Sequence, residues 1–170
     1  MDLDEIRCLG ELLEELLPVR SIVDPGEGAA FDSLYLLAGL QRPSLLEAMR
    51  GGPLPEEPPP RETYVRLAFS RLGRFVAMQE VVVASARADG ALEIVEQPIV
   101  GFDDRRLQAI VKCLQGALKK ARVVVLDLAF LTDALPSLNA GDVGGPPAGE
   151  SAWSFLFSPD PPGSARIVRI

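Results

Sequence analysis

The residues of this chain most able to do chemistry are aspartates. Asp127 interrupts the apolar run RVVVLDLAFL at 122–131, and a carboxylate ending a buried strand is the arrangement that holds magnesium in nucleotide hydrolases. Such sites also need a phosphate cradle, G-x-x-x-x-G-K-[ST], between an upstream strand and a helix. No segment has that form: GALKK at 116–120 lies within a helical pattern and lacks the second glycine and the hydroxyl. The dinucleotide pattern G-x-G-x-x-G is missing too. The glycine-rich GDVGGPPAG contains two prolines, which remove N–H donors that a phosphate nest requires. Asp127 therefore reads as a strand-end residue pairing with a basic neighbour such as Arg122.

Two other acidic groupings stand out. Asp103 and Asp104 follow Gly101, and Asp24, Glu27 and Asp32 surround Gly26 and Gly28. Paired carboxylates can bind magnesium or calcium, or act as an acid–base couple. Asp103-Asp104 directly precedes an amphipathic run, where helix capping accounts for both residues. The 24–32 group reads as a solvated turn and does not match the calcium loop D-x-[DN]-x-[DN]-G. The chain has no histidine, which removes Ser-His-Asp and Cys-His catalysis as ordinarily built. With two distant cysteines, Cys8 and Cys113, a standard zinc site is excluded as well. Both cysteines are read as free thiols, with Cys113 packed beside an apolar helix face. No catalytic, cofactor-binding or metal-binding residue is assigned, and the chain reads as a non-enzyme. The alternative is a carboxylate- and divalent-metal-dependent enzyme acting on a small phosphorylated or ester substrate, with Asp103, Asp104 and Asp127 as ligands.

The elements that would position these groups follow from periodicity. Leu3, Ile6, Leu9, Leu13 and Leu16 recur at three- and four-residue steps with Glu11, Glu14 and Glu15 opposite, which predicts a helix over 3–17. Asp2 or Asp4 caps it and Pro18 ends it. A second helix is expected from about Phe31 to Leu40, then a short one capped by Ser44 and running to Arg50. The stretch GGPLPEEPPPR at 51–61 reads as a linker. Beyond it the period becomes that of a strand in TYVRLAFS, where Val65, Leu67 and Phe69 alternate with Tyr64, Arg66 and Ser70. RFVAMQEVVVASAR and ALEIVEQPIV flank Asp89-Gly90, a strong hairpin signal because a type I′ turn needs positive φ twice. Pro98 marks a strand end or an edge. Leu107, Ile110, Val111, Leu114 and Leu118 line one face of the best helix, which ends at Lys119 and Lys120. RVVVLDLAFL, SAWSFLFS and ARIVRI are expected as strands. The fold class is α+β, a mostly antiparallel sheet with one long amphipathic helix packed on it, preceded by a helical N-terminal region. The organisation is an acidic helical region at 1–50, the linker at 51–61, and an α+β domain at 62–170.

Composition narrows the partners. The net charge is −7, and residues 1–60 carry 12 acidic against 4 basic residues while 61–170 carry 12 against 13. An acidic chain without a dense basic stripe is a poor ligand for nucleic acid or anionic membranes, since phosphate neutralisation supplies most of that affinity. Arg61, Arg66, Arg71, Arg74 and Arg87 do cluster around Tyr64 and Phe69. Those two aromatics fall on opposite faces of one strand, however, and cannot form a base-stacking platform. No apolar run reaches the 18 or so residues of a membrane helix, and the acidic N-terminus is unlike a targeting peptide. A cytoplasmic location is expected.

What remains is a surface for another protein. Leu12 and Leu17 widen the apolar stripe of Leu9, Leu13 and Leu16 beyond a narrow seam, which suits docking in a groove or against a second copy. Trp153, Phe155 and Phe157 alternate in SAWSFLFS, which reads as a core strand or an exposed interface edge. These eight residues are the expected partner-binding set, in a non-enzymatic module (chaperone, adaptor, immunity protein or assembly subunit) whose acidic helices suit a basic partner or a homodimer. The stretch ADGALEIVEQPI followed by DDRRLQAIVKCLQGAL is similar in architecture to the small acidic chaperones of type III secretion systems. The resemblance covers about a third of the chain and implies a bacterial protein-binding function. RVVVLDLAFL directly after the helix and the linker GGPLPEEPPPR depart from that pattern.

Overall fold

The structure, a computed structural model, describes residues 1–26, 31–39, 43–99, 102, 105–132, 151–157 and 164–170, with only the backbone of 129, 130, 154 and 155. The first helix, α1 (Leu3–Leu16), starts at Asp2. The Asp2 carboxylate accepts from the Glu5 backbone N–H while Glu5 accepts from that of Asp2, a reciprocal capping box. After Pro18 come β1 (Val19–Asp24) and β2 (Phe31–Ala38), then the short α2 (Leu45–Met49), with Ser44 and Glu47 forming a second capping box. Residues 31–38 are therefore a strand and not the expected helix. Six of the eight residues of β2 are buried. A strand covered on both sides reads as a continuous apolar run, and periodicity cannot tell it from a helix.

β3 (Arg61–Ser70), β4 (Phe75–Ala88) and β5 (Ala91–Ile99) follow, all antiparallel to their neighbours. Asp89 and Gly90 both take positive φ, 53° and 83°, as the hairpin turn demands. After α3 (Arg105–Lys120) comes β6 (Val124–Leu126), then α4 (Leu128–Thr132), α5 (Ala152–Leu156) and β7 (Arg166–Arg169). The sheet runs β1-β2-β3-β4-β5-β7, and β6 lies parallel to β4. The architecture is α+β, and β1 and β2, from residues 1–50, belong to the same sheet as the strands beyond 51–61.

The pleat sorts the core. On one face Leu34, Leu36, Val65, Leu67, Phe69 and Val76 meet Ile6, Leu9 and Leu13 of α1 together with Leu107, Ile110, Leu114 and Leu118 of α3. Two helices, not one, thus share this face. Gly10 lets α1 lie close to the sheet, because a Cβ there would fall 2.9 Å from Ser21 Oγ and 3.2 Å from Leu34 Cδ1. Arg74, in the β3–β4 turn, joins the two helices by donating to Glu5 Oε1 at 2.7 Å and to the carbonyl of Ala121 at 3.1 Å.

The opposite face carries two smaller clusters. Tyr35, Leu37, Tyr64, Val81, Val83 and Ile94 pack under α2, while Ala68 and Ala77 receive Leu128, Leu131, Trp153 and Phe157 from α4 and α5. SAWSFLFS is thus helical over residues 152–156, which are not part of a closing strand. Its aromatics at i and i+4 satisfy either period, and the alanines beneath leave room for a helix rather than another strand. RVVVLDLAFL is likewise not one strand. Asp127 ends it after three residues, and its carbonyl accepts the Leu131 N–H at 3.0 Å as the first bond of α4. Tyr64 and Phe69 do fall on opposite faces, and Pro98 lies beyond the β7 pairing on the outer side of β5.

Candidate functional site

The eight expected partner-binding residues separate by burial. Leu9 and Leu13 are core residues, and Leu17 is half-buried against the same cluster. Trp153 and Phe157 are buried in the cluster that α4 and α5 form on the sheet, so in this fold they are core residues. The side chain of Phe155 lies outside the described residues. Only Leu12 and Leu16 remain at the surface, 47% and 65% exposed. One helical turn apart, with exposed Cys8 a further turn back, they form the outward stripe of α1. The acids around that stripe divide. Glu5 is held by Arg74, and Glu14 accepts from the Ser21 N–H and hydroxyl at 2.6 and 2.9 Å. Asp4 is exposed and pairs with Arg7 at 3.1 Å, while Glu11 and Glu15 stay exposed beside the leucines.

The carboxylate groupings also resolve. Asp103, Asp104 and Glu27 lie outside the described residues. Asp24 and Asp32 do not cooperate, because adjacent registers of the sheet send them to opposite faces. Asp24 binds Arg50 at 2.6 Å, whereas Asp32 receives both arms of Arg71 at 2.6 and 3.0 Å. The Arg71 guanidinium holds the Asp32 carboxyl below its ordinary range, against the opposing effect of burial. Among the described residues no three Cys, Asp or Glu side chains converge as a metal site. Cys113 is exposed, not packed as expected, and Cys8 is exposed too.

Asp127 sits at the edge of a cavity of about 670 Å³ between α3 and the β6–α4 segment. Met78 and Val123 form its floor, Phe102 and Val125 line it, and Gln115, Lys119 and Asp127 supply its polar groups. Val111, Gln115 and Lys119 follow one another at four-residue steps along α3, which makes one wall from a single helix face. This spacing was visible in the sequence. That β6 would lie parallel to β4 and provide the facing wall was not.

Under α2 lies a polar network with no counterpart among the sequence expectations. The Tyr35 hydroxyl donates to Glu96 Oε1 at 2.7 Å, and the Arg50 guanidinium lies 4.8 Å from the centre of the Tyr35 ring. Glu62 accepts from the Leu45 N–H at 2.8 Å and from the Tyr64 hydroxyl at 2.5 Å. Arg20 bonds Glu47, and Arg66 bonds Gln79. Each of these side chains has at least one partner within the fold, while Glu62 Oε1, Arg50 Nε and Arg66 Nε are buried without a hydrogen bond among the described residues.

The network sets the alkaline limit of the fold. Burial, with Glu96 adding to it against Arg66 and Arg50, pushes the Tyr35 hydroxyl from 10.0 up to about 12. Burial and the Glu62 hydrogen bond push Tyr64 up as well. The folded chain therefore keeps protons that the unfolded chain releases near pH 10, so this stability is complete below pH 10 and is lost as the pH rises towards 12. Tyr35 and Tyr64 are the only tyrosines. A spectrophotometric titration should show tyrosinate forming only with loss of structure. Tyrosinate growing in at pH 10 with the circular dichroism unchanged would contradict it.

No family model, curated protein or solved structure matches the chain. The resemblance to type III secretion chaperones gains no support from these comparisons. Among the described residues no helix is long and apolar enough to cross a membrane.

Proposed function

We propose that the chain is a non-enzymatic, cytoplasmic protein-binding module whose N-terminal helix presents its outer face to a basic, amphipathic segment of another protein. The observation that carries this reading is the pair Leu12 and Leu16, exposed at 47% and 65% on a helix whose other core-type residues are docked. Leucine left in water beside Glu11 and Glu15 combines an apolar anchor with a negative rim. That pairing supports burial of apolar side chains and steering of a positively charged partner. It favours a basic partner over a second copy, because two acidic α1 faces repel. β7 is a four-residue edge strand in which Arg166 and Arg169 flank the exposed Ile167. Short charged edges discourage strand addition, so the sheet edge is given no part in the interface.

The test is quantitative co-purification with the full-length chain and with Leu12→Glu/Leu16→Glu. Removing residues 1–50 is unsuitable, since it deletes β1 and β2 from the sheet. Both leucines are exposed, so the variant should melt within about 0.5 kcal/mol of the parent. A partner rich in Lys and Arg should be retained by the parent, depleted at least about tenfold by the variant, and weakened by salt. Equal recovery by both chains, or nothing reproducible with either, overturns the reading.

A further inference from the structure

We propose that the cavity between α3 and the β6–α4 segment binds a small acidic amphiphile, an apolar chain ending in a carboxylate, with the carboxylate at Lys119. The site is separate from the outer face of α1. Its volume of about 670 Å³ lies within the roughly 300–1,000 Å³ typical of ligand pockets. Its composition is also that of such pockets, mostly apolar with a few polar groups at one side. Met78 and Val123, both below a tenth exposed, contribute buried apolar lining, and Phe102 and Val125 add to it.

Polarity changes in one direction along the α3 wall. Val111 is buried, Gln115 and Lys119 are exposed, and eight residues of helix separate the first from the last, about 12 Å. A ligand lying along this wall meets hydrocarbon first, an amide next and an ammonium at its end. The sign of the head group follows from which charge is available. Asp127 already has an interaction of its own, and its backbone carbonyl starts α4. Among the described residues Lys119 has no ion-pair partner. The open charge is therefore positive, and its complement is an anion.

Three probes with one tail test this: decanoate, decanol and decylamine, titrated calorimetrically into the full chain below their micellar concentrations. Decanoate should bind saturably at one per chain and at least about tenfold tighter than decanol or decylamine. Lys119→Glu, a change at an exposed position, should remove that preference and favour decylamine. Val125→Trp should block all three by filling the cavity, with circular dichroism confirming that the variant folds. If Val125→Trp does not fold, the Lys119→Glu comparison decides alone. Absence of saturable binding, equal affinity for the three heads, or decanoate binding unchanged in Lys119→Glu each overturns the proposal.

Discussion

Arg50→Ala is expected to lower the unfolding free energy by about 3 kcal/mol, the lower end of the cost of taking the cation from a buried pair, since Glu96 is buried and Asp24 half-buried. Arg50 follows α2, and its side chain is only 16% exposed. Its guanidinium donates to Asp24 Oδ2 of β1 at 2.6 Å and to the Leu46 carbonyl of α2 at 3.2 Å. It lies 3.6 Å from Glu96 Oε2 of β5 and over the Tyr35 ring of β2. Burial works against the charge. Asp24, Tyr35 and Glu96 together outweigh it and hold the Arg50 pKa above its ordinary value. One side chain thus links four elements that are far apart in sequence. Truncation leaves Asp24 without its cation and Glu96 with the Tyr35 hydroxyl alone, and removes the planar group stacked on Tyr35. Arg50→Lys restores the charge without the fork or the stacking surface, so its loss should be intermediate. Urea unfolding measures both. A midpoint for Arg50→Ala equivalent to less than about 0.5 kcal/mol of change would show that the network contributes little.

Trp153→Ala should cost a similar amount, about 3–5 kcal/mol for deleting a buried indole, on the order of 10 °C in Tm for a chain of this size. The ring is 2% exposed. It stacks on Phe157 with centroids 4.8 Å apart and an interplanar angle of 27°, and tilts against Phe31 at 6.3 Å. Alanines 68 and 77 form the sheet surface beneath and have no larger side chain to move into the space. The cavity left behind therefore stays open, the condition under which such deletions cost most. Thermal melts followed by circular dichroism test this. A variant with an unchanged Tm would contradict the burial of Trp153.

Local chemistry was legible in the sequence wherever one segment decided the outcome. Asp2 and Ser44 cap helices because each has a glutamate three residues on. Asp89-Gly90 turns because those residues tolerate positive φ. The heptad-like leucines of α3 form a helix because their spacing fits no strand. The misread segments share one physical cause. FDSLYLLA, SAWSFLFS and the tail of RVVVLDLAFL are short and apolar, and their type depends on what covers them. Two-sided burial made β2 a strand, the small side chains of Ala68 and Ala77 admitted α5, and Asp127 divided β6 from α4.

Residue type and short-range spacing were enough for the α+β class, the capped and periodic elements, and the exclusion of histidine-based chemistry. Long-range packing set which leucines of α1 reach solvent, because burial depends on where the sheet lies beneath the helix. It alone placed Lys119 and Asp127 on one cavity through the parallel pairing of β6 with β4. It also set Arg50 between Asp24 and Glu96, residues 72 positions apart in the chain. Such contacts are long-range, and no local periodicity encodes them.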